Sequence, residues 1–239
     1  MDSASIAALL RPFIGADRLS ERQLEQTSIY IDLLLRWNAR INLTAVRGPE
    51  NIVTRHFGES LFAANQLCVS PDLRPGQAQR NSAASTNEQR RNTRELIDVG
   101  SGAGFPGLPM KICAPDLHVT LIESNHKKAT FLREVIRALS LTGADVFSGR
   151  AEDFPAGSAD LVTLRAVERF ENVLPVAARL LRPEGRLALL IGESQVKSAH
   201  AGLLEFRWED PTPIPLSSSR VLLVGDAKGN QQSKSGVTL

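Results

Sequence analysis

Residues 96–107 read Leu-Ile-Asp-Val-Gly-Ser-Gly-Ala-Gly-Phe-Pro-Gly, an apolar run that leads into closely spaced glycines. The run predicts a buried strand. Glycines permit positive φ angles and let a ligand approach the backbone, and a helix that begins after them presents unpaired N–H groups. The stretch therefore predicts a strand, a ligand-binding loop and a helix, in that order.

Strand-like and helix-like segments alternate along the chain after this stretch. The pattern predicts strands at 96–99, 119–123, 145–148, 161–164 and 186–191, helices at 107–113, 127–139 and 170–181, and a terminal hairpin from 203–208 and 220–224. Such alternation is typical of a mostly parallel sheet with helices on both faces. We expect an α/β, Rossmann-like fold around a seven-stranded sheet.

The segments before and after this pattern divide the chain. Residues 20–38 predict an amphipathic helix that starts with a Ser20 and Gln23 capping box, and a second helical segment covers about 52–67. We predict a helical extension at 1–70, a flexible loop or linker at 71–94, the α/β domain with the ligand-binding loop at 95–228 and a polar tail at 229–239. The linker assignment rests on its Pro, Gly, Ser, Asn, Gln and Arg content.

Composition narrows the class of protein. The chain has 239 residues, 42% hydrophobic and 23% charged, with a net charge of +2, as in ordinary soluble globular proteins. It has no apolar run long enough for a membrane span, and we expect a cytoplasmic protein. Cys68 and Cys113 have no zinc-site spacing, so they are predicted to be core residues, and no metal is expected.

Two carboxylates suggest the ligand. Glu123 ends the second strand, where a carboxylate can accept both hydroxyls of a ribose. Asp98 precedes the first glycine, where it would repel a pyrophosphate and attract an ammonium group, which favours S-adenosylmethionine over a nicotinamide cofactor. The third glycine also comes one residue too early for the dinucleotide pattern Gly-x-Gly-x-x-Gly. The glycine loop alone is equally consistent with a tight structural turn.

The ordered motifs of the chain resemble the family of ribosomal RNA small-subunit methyltransferase G, also called glucose-inhibited division protein B. The resemblance covers about residues 20–192. It is carried by Trp37-Asn38, Asn42-Leu43-Thr44, Arg55-His56, the stretch 97–107, residues 150–154 and Arg165-Ala166. It implies S-adenosylmethionine-dependent methylation of N7 of a guanine in 16S ribosomal RNA.

The resemblance also implies a set of cofactor-binding positions. It places Gly100 and Phe105 on the methionine and loop side, Glu123 at the ribose, Ala151 with Glu152 near the adenine and Arg165 at the mouth of the site. From the glycine loop itself we add Asp98, Gly102 and Gly104. A surface turn at Ala151 and Glu152 is an equally good interpretation of the residues alone.

The expected RNA contacts are Asn42, Arg55, His56 and Arg165. Arg165 follows a strand at the edge of the sheet where ligands collect, and its guanidinium can hold a phosphate or a base edge. On residues alone a surface salt bridge is the alternative for Arg165, and a buried, fully bonded histidine is the alternative for His56. We predict that Arg165→Ala costs methylation more than stability.

The chain departs from the family pattern at the substrate side. Ile191-Gly192 stands where many relatives have a lysine before the glycine, Glu59 stands where an aspartate is more usual, and the linker is longer. Guanine N7 has a free lone pair, so no general base is expected and positioning would carry catalysis. We expect a monomer that acts on ribosomal RNA or the small subunit. A methyltransferase of another substrate and a non-enzymatic nucleotide-binding module remain alternatives.

Overall fold

The computed structural model describes residues 1–15, 19–69, 94–167 and 169–227. The predicted linker, apart from Arg94, and the predicted polar tail lie outside the described residues. The proposed division into four ranges therefore remains a prediction.

The sheet is an α/β sheet with a mostly parallel core. Its strands are β1 (Glu95–Val99), β2 (His118–Ile122), β3 (Ala144–Phe147), β4 (Ala159–Arg165), β5 (Leu181–Gly192), β6 (Phe206–Trp208), β7 (Thr212–Pro213) and β8 (Arg220–Ala227). The order is β3-β2-β1-β4-β5-β8-β6, and β7 pairs with β8. Strands β1 to β5 are parallel, whereas β8 is antiparallel to β5, β6 and β7. The predicted Rossmann-like fold and terminal β6–β8 pairing are confirmed, but the sheet has eight strands rather than the predicted seven, because the short β7 also pairs with β8.

Helices cover the sheet and form the segment before it. They are α1 (Ser3–Ile14), α2 (Glu21–Ile41), α3 (Pro49–Ile52), α4 (Glu59–Ala64), α5 (Gly107–Cys113), α6 (His126–Ala138), α7 (Phe170–Leu180) and α8 (Val196–Gly202). π-Helical segments Val53–Gly58 and Asn65–Val69 follow α3 and α4. Helix α8 was not predicted. None of the helices within the described ranges is long and apolar enough to cross a membrane.

The two faces of the sheet have separate cores. Alternate residues of a strand point to opposite faces, so Ala188 and Leu190 of β5 belong to one core and Leu187 and Leu189 to the other. The first core includes α5, α6 and the helices before β1, and the second includes α7 and α8. The amino-terminal helices therefore pack on the sheet domain.

Helix α2 begins as the sequence predicts. The Ser20 side chain accepts from the backbone N–H of Gln23 and the Gln23 side chain accepts from that of Ser20, which forms the predicted capping box. Tyr30 and Leu34 are fully buried against the sheet domain. The two cysteines are half-buried at the margin of the core, so their assignment as core residues was only partly right.

The order of the strands fixes where a ligand can bind. The chain moves from β1 outward to β2 and β3, and then returns to β4 and β5 on the other side of β1. The connections leave β1 and β4 in opposite directions, so a crevice opens at their carboxyl ends. Ligands of open α/β sheets bind in such a crevice.

Candidate functional site

A cleft of about 910 Å³ opens at the carboxyl ends of β1, β2 and β4. One wall is the glycine loop after β1, and the opposite wall is the π-helical segment that carries Arg55 and His56. The cleft therefore lies at the junction of the sheet and the amino-terminal helices.

Most of the predicted site residues meet at this cleft. Those that line it are Gly100, Gly102, Phe105, Glu123, Ala151, Glu152, Arg165, Arg55 and His56. The other three do not line it: Asp98 lies beneath the loop, Gly104 lies in the loop, and Asn42 is an exposed residue at the carboxyl end of α2. The structure thus brings the predicted cofactor side and RNA side together.

The glycine loop adopts backbone conformations that favour glycine. Gly100, Gly102 and Gly104 have φ angles of 66°, 56° and 90°. Gly104 is also tightly enclosed, because a Cβ atom there would lie 2.3 Å from the Tyr30 hydroxyl and 2.7 Å from Leu108 Cδ1. The requirement for glycine at 104 is therefore both conformational and steric.

Glu123 holds the loop from the end of β2. Its Oε2 accepts from Gly102 N at 2.8 Å, and its Oε1 accepts from Asn125 N at 2.8 Å. Each carboxylate oxygen has a second lone pair that can accept a hydroxyl. Glu123 can therefore order the loop and still bind the diol of a ribose.

Asp98 occupies a different place from the one the sequence suggests. Its side chain is only 1% exposed; Oδ1 accepts from Thr163 Oγ1 at 2.7 Å, and Oδ2 accepts from Gly107 N at 3.3 Å. Burial raises the pKa of Asp98 to about 6. The expected contact with a ligand ammonium group is not supported by this geometry, because Asp98 supports the loop and the start of α5 from beneath.

Ala151 and Glu152 form a short 3₁₀ turn at the far side of the cleft. Ala151 is buried and Glu152 is exposed. The guanidinium of Arg179 donates to the backbone carbonyls of both residues at 2.9 Å, so the turn is anchored to α7. Ala151 is therefore an apolar surface that can contact a flat ring, while Glu152 borders the solvent.

Three rings form a stack behind the loop. Phe105 lies between Tyr30, with ring centroids 5.3 Å apart and nearly parallel planes, and His56, with centroids 4.6 Å apart. The Tyr30 hydroxyl donates to the carbonyl of Ala103. Helix α2 and the π-helical segment therefore both fix the position of the glycine loop.

His56 is a buried residue with both ring nitrogens bonded, which is the alternative that the sequence offered to an RNA contact. It also lines the cleft. Arginine can only donate, so Arg165 Nη1 donates to His56 Nδ1 at 3.0 Å, and Nε2 carries the proton that faces Thr44 Oγ1 at 2.7 Å. Burial and the adjacent arginines lower the pKa of His56 to about 3. His56 is therefore a neutral imidazole with a defined tautomer.

Arg165 is buried, which corrects the surface salt bridge considered from the sequence. Its side chain is 8% exposed and its Nη2 lies 3.0 Å from Glu59 Oε2, whose side chain is 4% exposed. Nη2 also donates to the carbonyl of Arg55 at 2.7 Å. Because most donors of this guanidinium have protein partners, a role as the main RNA contact is less well supported than the sequence suggests.

The sequence did not single out three residues that complete the site. Tyr30 is the only tyrosine of the chain and lies in the buried stripe of α2. Glu59 appeared only as a departure from the family pattern. Arg220 begins β8 and lines the cleft, with its Nε 3.1 Å from Glu59 Oε2. Its position opposite Gly192 in the sheet gives no signal in the sequence, since the pairing joins distant segments.

The described part of the chain has no group of three or more histidine, cysteine, aspartate or glutamate side chains that could hold a metal ion.

Sequence comparisons match the chain to one family over most of its length. The family model described as rRNA small subunit methyltransferase G matches residues 23–70 and 80–209. A protein named ribosomal RNA small subunit methyltransferase G from Stenotrophomonas maltophilia is 37% identical over 218 residues, which cover 90% of this chain and 89% of that protein. A protein of the same name from Bacillus subtilis is 35% identical over 189 residues, covering 77% and 70% of the two chains.

Solved structures resemble the chain more distantly. A Pyrococcus horikoshii TYW2 structure in complex with MeSAdo has a TM-score of 0.49 and 18% identity, over 63% of this chain and 65% of that one. A SAM-dependent methyltransferase from Aquifex aeolicus has a TM-score of 0.48 and 15% identity, over 56% and 82% of the two chains.

Proposed function

The chain belongs to the family of rRNA small subunit methyltransferase G, and from this premise we propose that it transfers the methyl group of S-adenosylmethionine to N7 of a guanine in 16S ribosomal RNA. The observation that carries the proposal is the joint placement of Glu123 and the glycine loop in a cleft at the reversal of strand order. The acceptor atom and the individual site residues are part of the proposal.

The residues of the cleft fit the chemical groups of S-adenosylmethionine. Glu123 would accept the ribose hydroxyls, Gly100 and Phe105 would border the methionine part, and Ala151 would contact the adenine, with Glu152 at its edge. Gly100 leaves space that a side chain would fill, since a Cβ atom there would lie 3.1 Å from Val167 Cγ1. The bound cofactor supplies an electrophilic methyl group on its sulfonium.

The residues around the acceptor position agree with a nucleophile that needs no deprotonation. Guanine N7 has a free lone pair at neutral pH. His56 lines the cleft as a neutral ring whose Nδ1 already accepts from Arg165, so it is not available as a base. The protein would contribute by holding the acceptor and the methyl group in line and at short distance.

The RNA side of the cleft is proposed to use the amino-terminal helices. Arg55 is exposed at the mouth and is suited to a phosphate, whereas His56 presents a stacked, neutral ring. Asn42 is exposed at the end of α2 and would contact RNA outside the cleft. Arg165 would act mainly by holding Arg55 and His56 in place. We propose a cytoplasmic monomer that acts on the RNA or the small subunit.

The decisive experiment uses an RNA in which the target guanine is replaced. Mass spectrometry of small-subunit RNA from a deletion strain, with and without this chain, would first locate the methylated guanine. A fragment carrying 7-deazaguanine at that position keeps the shape and base-pairing edge but lacks N7. We expect methylation of the guanine fragment only; methylation of both would contradict N7 as the acceptor, and methylation of neither by a cofactor-binding protein would favour another substrate.

A further inference from the structure

A second, smaller cavity of about 300 Å³ lies beside the cleft and shares Arg55 and Arg220 with it. We name it the serine pocket. It is lined by Phe13, Thr54, Arg55, Glu59 and residues 215–220, which include Ser217, Ser218 and Ser219. Its lining combines hydroxyl groups with two guanidinium groups.

The charges around the serine pocket leave a positive excess. Glu59 is its one acidic lining residue, and the same Oε2 atom pairs with Arg165 at 3.0 Å and with Arg220 at 3.1 Å. Arg55 adds a third guanidinium, and His56 is uncharged. Three guanidiniums therefore surround one carboxylate, which favours a bound anion.

Arg220 is incompletely bonded. Its side chain is 19% exposed, and one Nη2 hydrogen is used by the carbonyl of Leu190 at 3.2 Å. The buried Nε is close to Glu59 but has no hydrogen-bond partner. The other Nη hydrogens of this part-exposed guanidinium can donate to a ligand, and such charge-assisted hydrogen bonds to an anion are strong.

Residues 214–220, which we name the serine loop, have a defined conformation. Ile214 N donates to the carbonyl of Arg220 at 3.0 Å, Ser217 N donates to the carbonyl of Ile214 at 3.2 Å, and Arg220 N donates to Ser217 Oγ at 3.2 Å. Ser218 and Ser219 are exposed at the tip. Their hydroxyls and N–H groups are therefore presented on a structured turn.

We propose that the serine pocket binds a phosphodiester group of the substrate RNA next to the nucleotide that enters the cleft. The inference rests on the proposed function for the identity of the ligand. Phosphate oxygens match hydroxyl donors and guanidinium groups, and phosphate contacts set the register of a nucleic acid on a protein. The shared Arg55 and Arg220 join this subsite to the cleft.

The test adds negative charge to the loop without touching the cleft. We expect Ser218→Asp/Ser219→Asp to weaken binding of a 16S RNA fragment about 10-fold or more at 0.1 M salt, measured by fluorescence anisotropy, because the added carboxylates would repel the phosphate. Calorimetry should give an unchanged affinity for S-adenosylmethionine. Ser218→Thr/Ser219→Thr, which keeps both hydroxyls, should bind RNA as the wild type does.

A matched control places the same charge on the opposite face of the sheet. Ala201→Asp/Leu204→Asp changes two exposed positions at α8 and should leave RNA affinity within two-fold of wild type. Equal affinity of the serine and control variants would overturn the phosphate subsite. Because RNA binding is measured apart from methyl transfer, the result decides the subsite even where the N7 assignment fails. A wild-type protein that binds the RNA and the cofactor but does not methylate the RNA would count against the proposed function alone.

Discussion

Arg165 on β4 and Glu59 on α4 form a buried ion pair, with 3.0 Å between Nη2 and Oε2, across 106 positions of sequence. The pair ties the end of a central strand to the helices that precede the sheet. Removing one partner of a buried ion pair costs about 3–5 kcal/mol when the other charge is left unpaired. Glu59 would keep Arg220, whose Nε lies 3.1 Å from the same Oε2, so the loss of Arg165 costs less than that.

We therefore expect Arg165→Ala to lower the free energy of unfolding by about 1–3 kcal/mol, measured by urea titration, because His56 and the Arg55 carbonyl lose a buried donor while Glu59 keeps Arg220. This replaces the expectation from sequence that the substitution would cost methylation more than stability. Arg207→Ala is the control, since Arg207 is 79% exposed in its pair with Asp226 and should have no measurable effect. A stable Arg165→Ala protein that fails only in methylation would restore the sequence-based expectation.

Gly104 of the glycine loop and Gly157, outside it, both have positive φ angles, but we expect an alanine to destabilise the protein more at 104 than at 157. Gly104→Ala should destabilise strongly, because its Cβ atom would overlap Tyr30 and Leu108. Gly157 also has a positive φ, 61°, but a Cβ atom there meets nothing within 4 Å, so Gly157→Ala should cost only about 1 kcal/mol. Urea titration compares the two. Equal losses would mean that backbone conformation, rather than packing, sets the requirement at 104.

The sequence predicts the core of the fold well because its signals are local. Apolar strands, capping residues and glycines report the conformation of their own neighbourhood, so helix 107–113 was placed correctly from the chain alone. The orientation of Asp98 and the burial of Arg165 depend on partners far along the chain, Thr163 and Glu59. The sequence predicts both as site residues but cannot indicate which residues they contact.

Glu123 offers a test of ribose binding. Glu123→Gln replaces one acceptor oxygen with a donor, so we expect about 10-fold weaker binding of S-adenosylmethionine by calorimetry. The variant should also discriminate less than wild type against an analogue without the ribose 2′-hydroxyl. Glu193→Gln, at an exposed position, serves as the control. Undiminished discrimination by Glu123→Gln would place the ribose elsewhere.

Tyr30 tests whether α2 controls the glycine loop. Tyr30→Phe keeps the ring stacked on Phe105 but removes the hydroxyl that donates to the Ala103 carbonyl. We expect about 1 kcal/mol less stability and several-fold weaker S-adenosylmethionine binding, because the loop loses a fixed contact. Asp32→Asn changes an exposed residue of the same helix and should bind as wild type does. Identical affinities of the two variants would show that the hydroxyl does not position the loop.

His56 and Asp98 should affect the pH dependence of stability in opposite directions. Burial and Arg165 lower the pKa of His56 from 6.5 to about 3, so between these values the unfolded chain binds more protons and acidification favours unfolding. Burial raises the pKa of Asp98 from 3.8 to about 6, so there the folded protein binds more protons and acidification favours folding.

The two effects overlap between about pH 4 and pH 6, where each is worth at most about 1.4 kcal/mol per pH unit and they largely cancel. Removing one group should expose the other. Relative to wild type, His56→Gln should gain stability on acidification through this window, and Asp98→Asn should lose it, as measured by urea titration at each pH. Taking each variant relative to wild type removes the contribution of the other titratable groups. Parallel curves for all three proteins would mean that neither side chain has a shifted pKa in the folded protein. Since burial is the main cause of both shifts, water would then reach His56 in the ring stack and Asp98 beneath the loop.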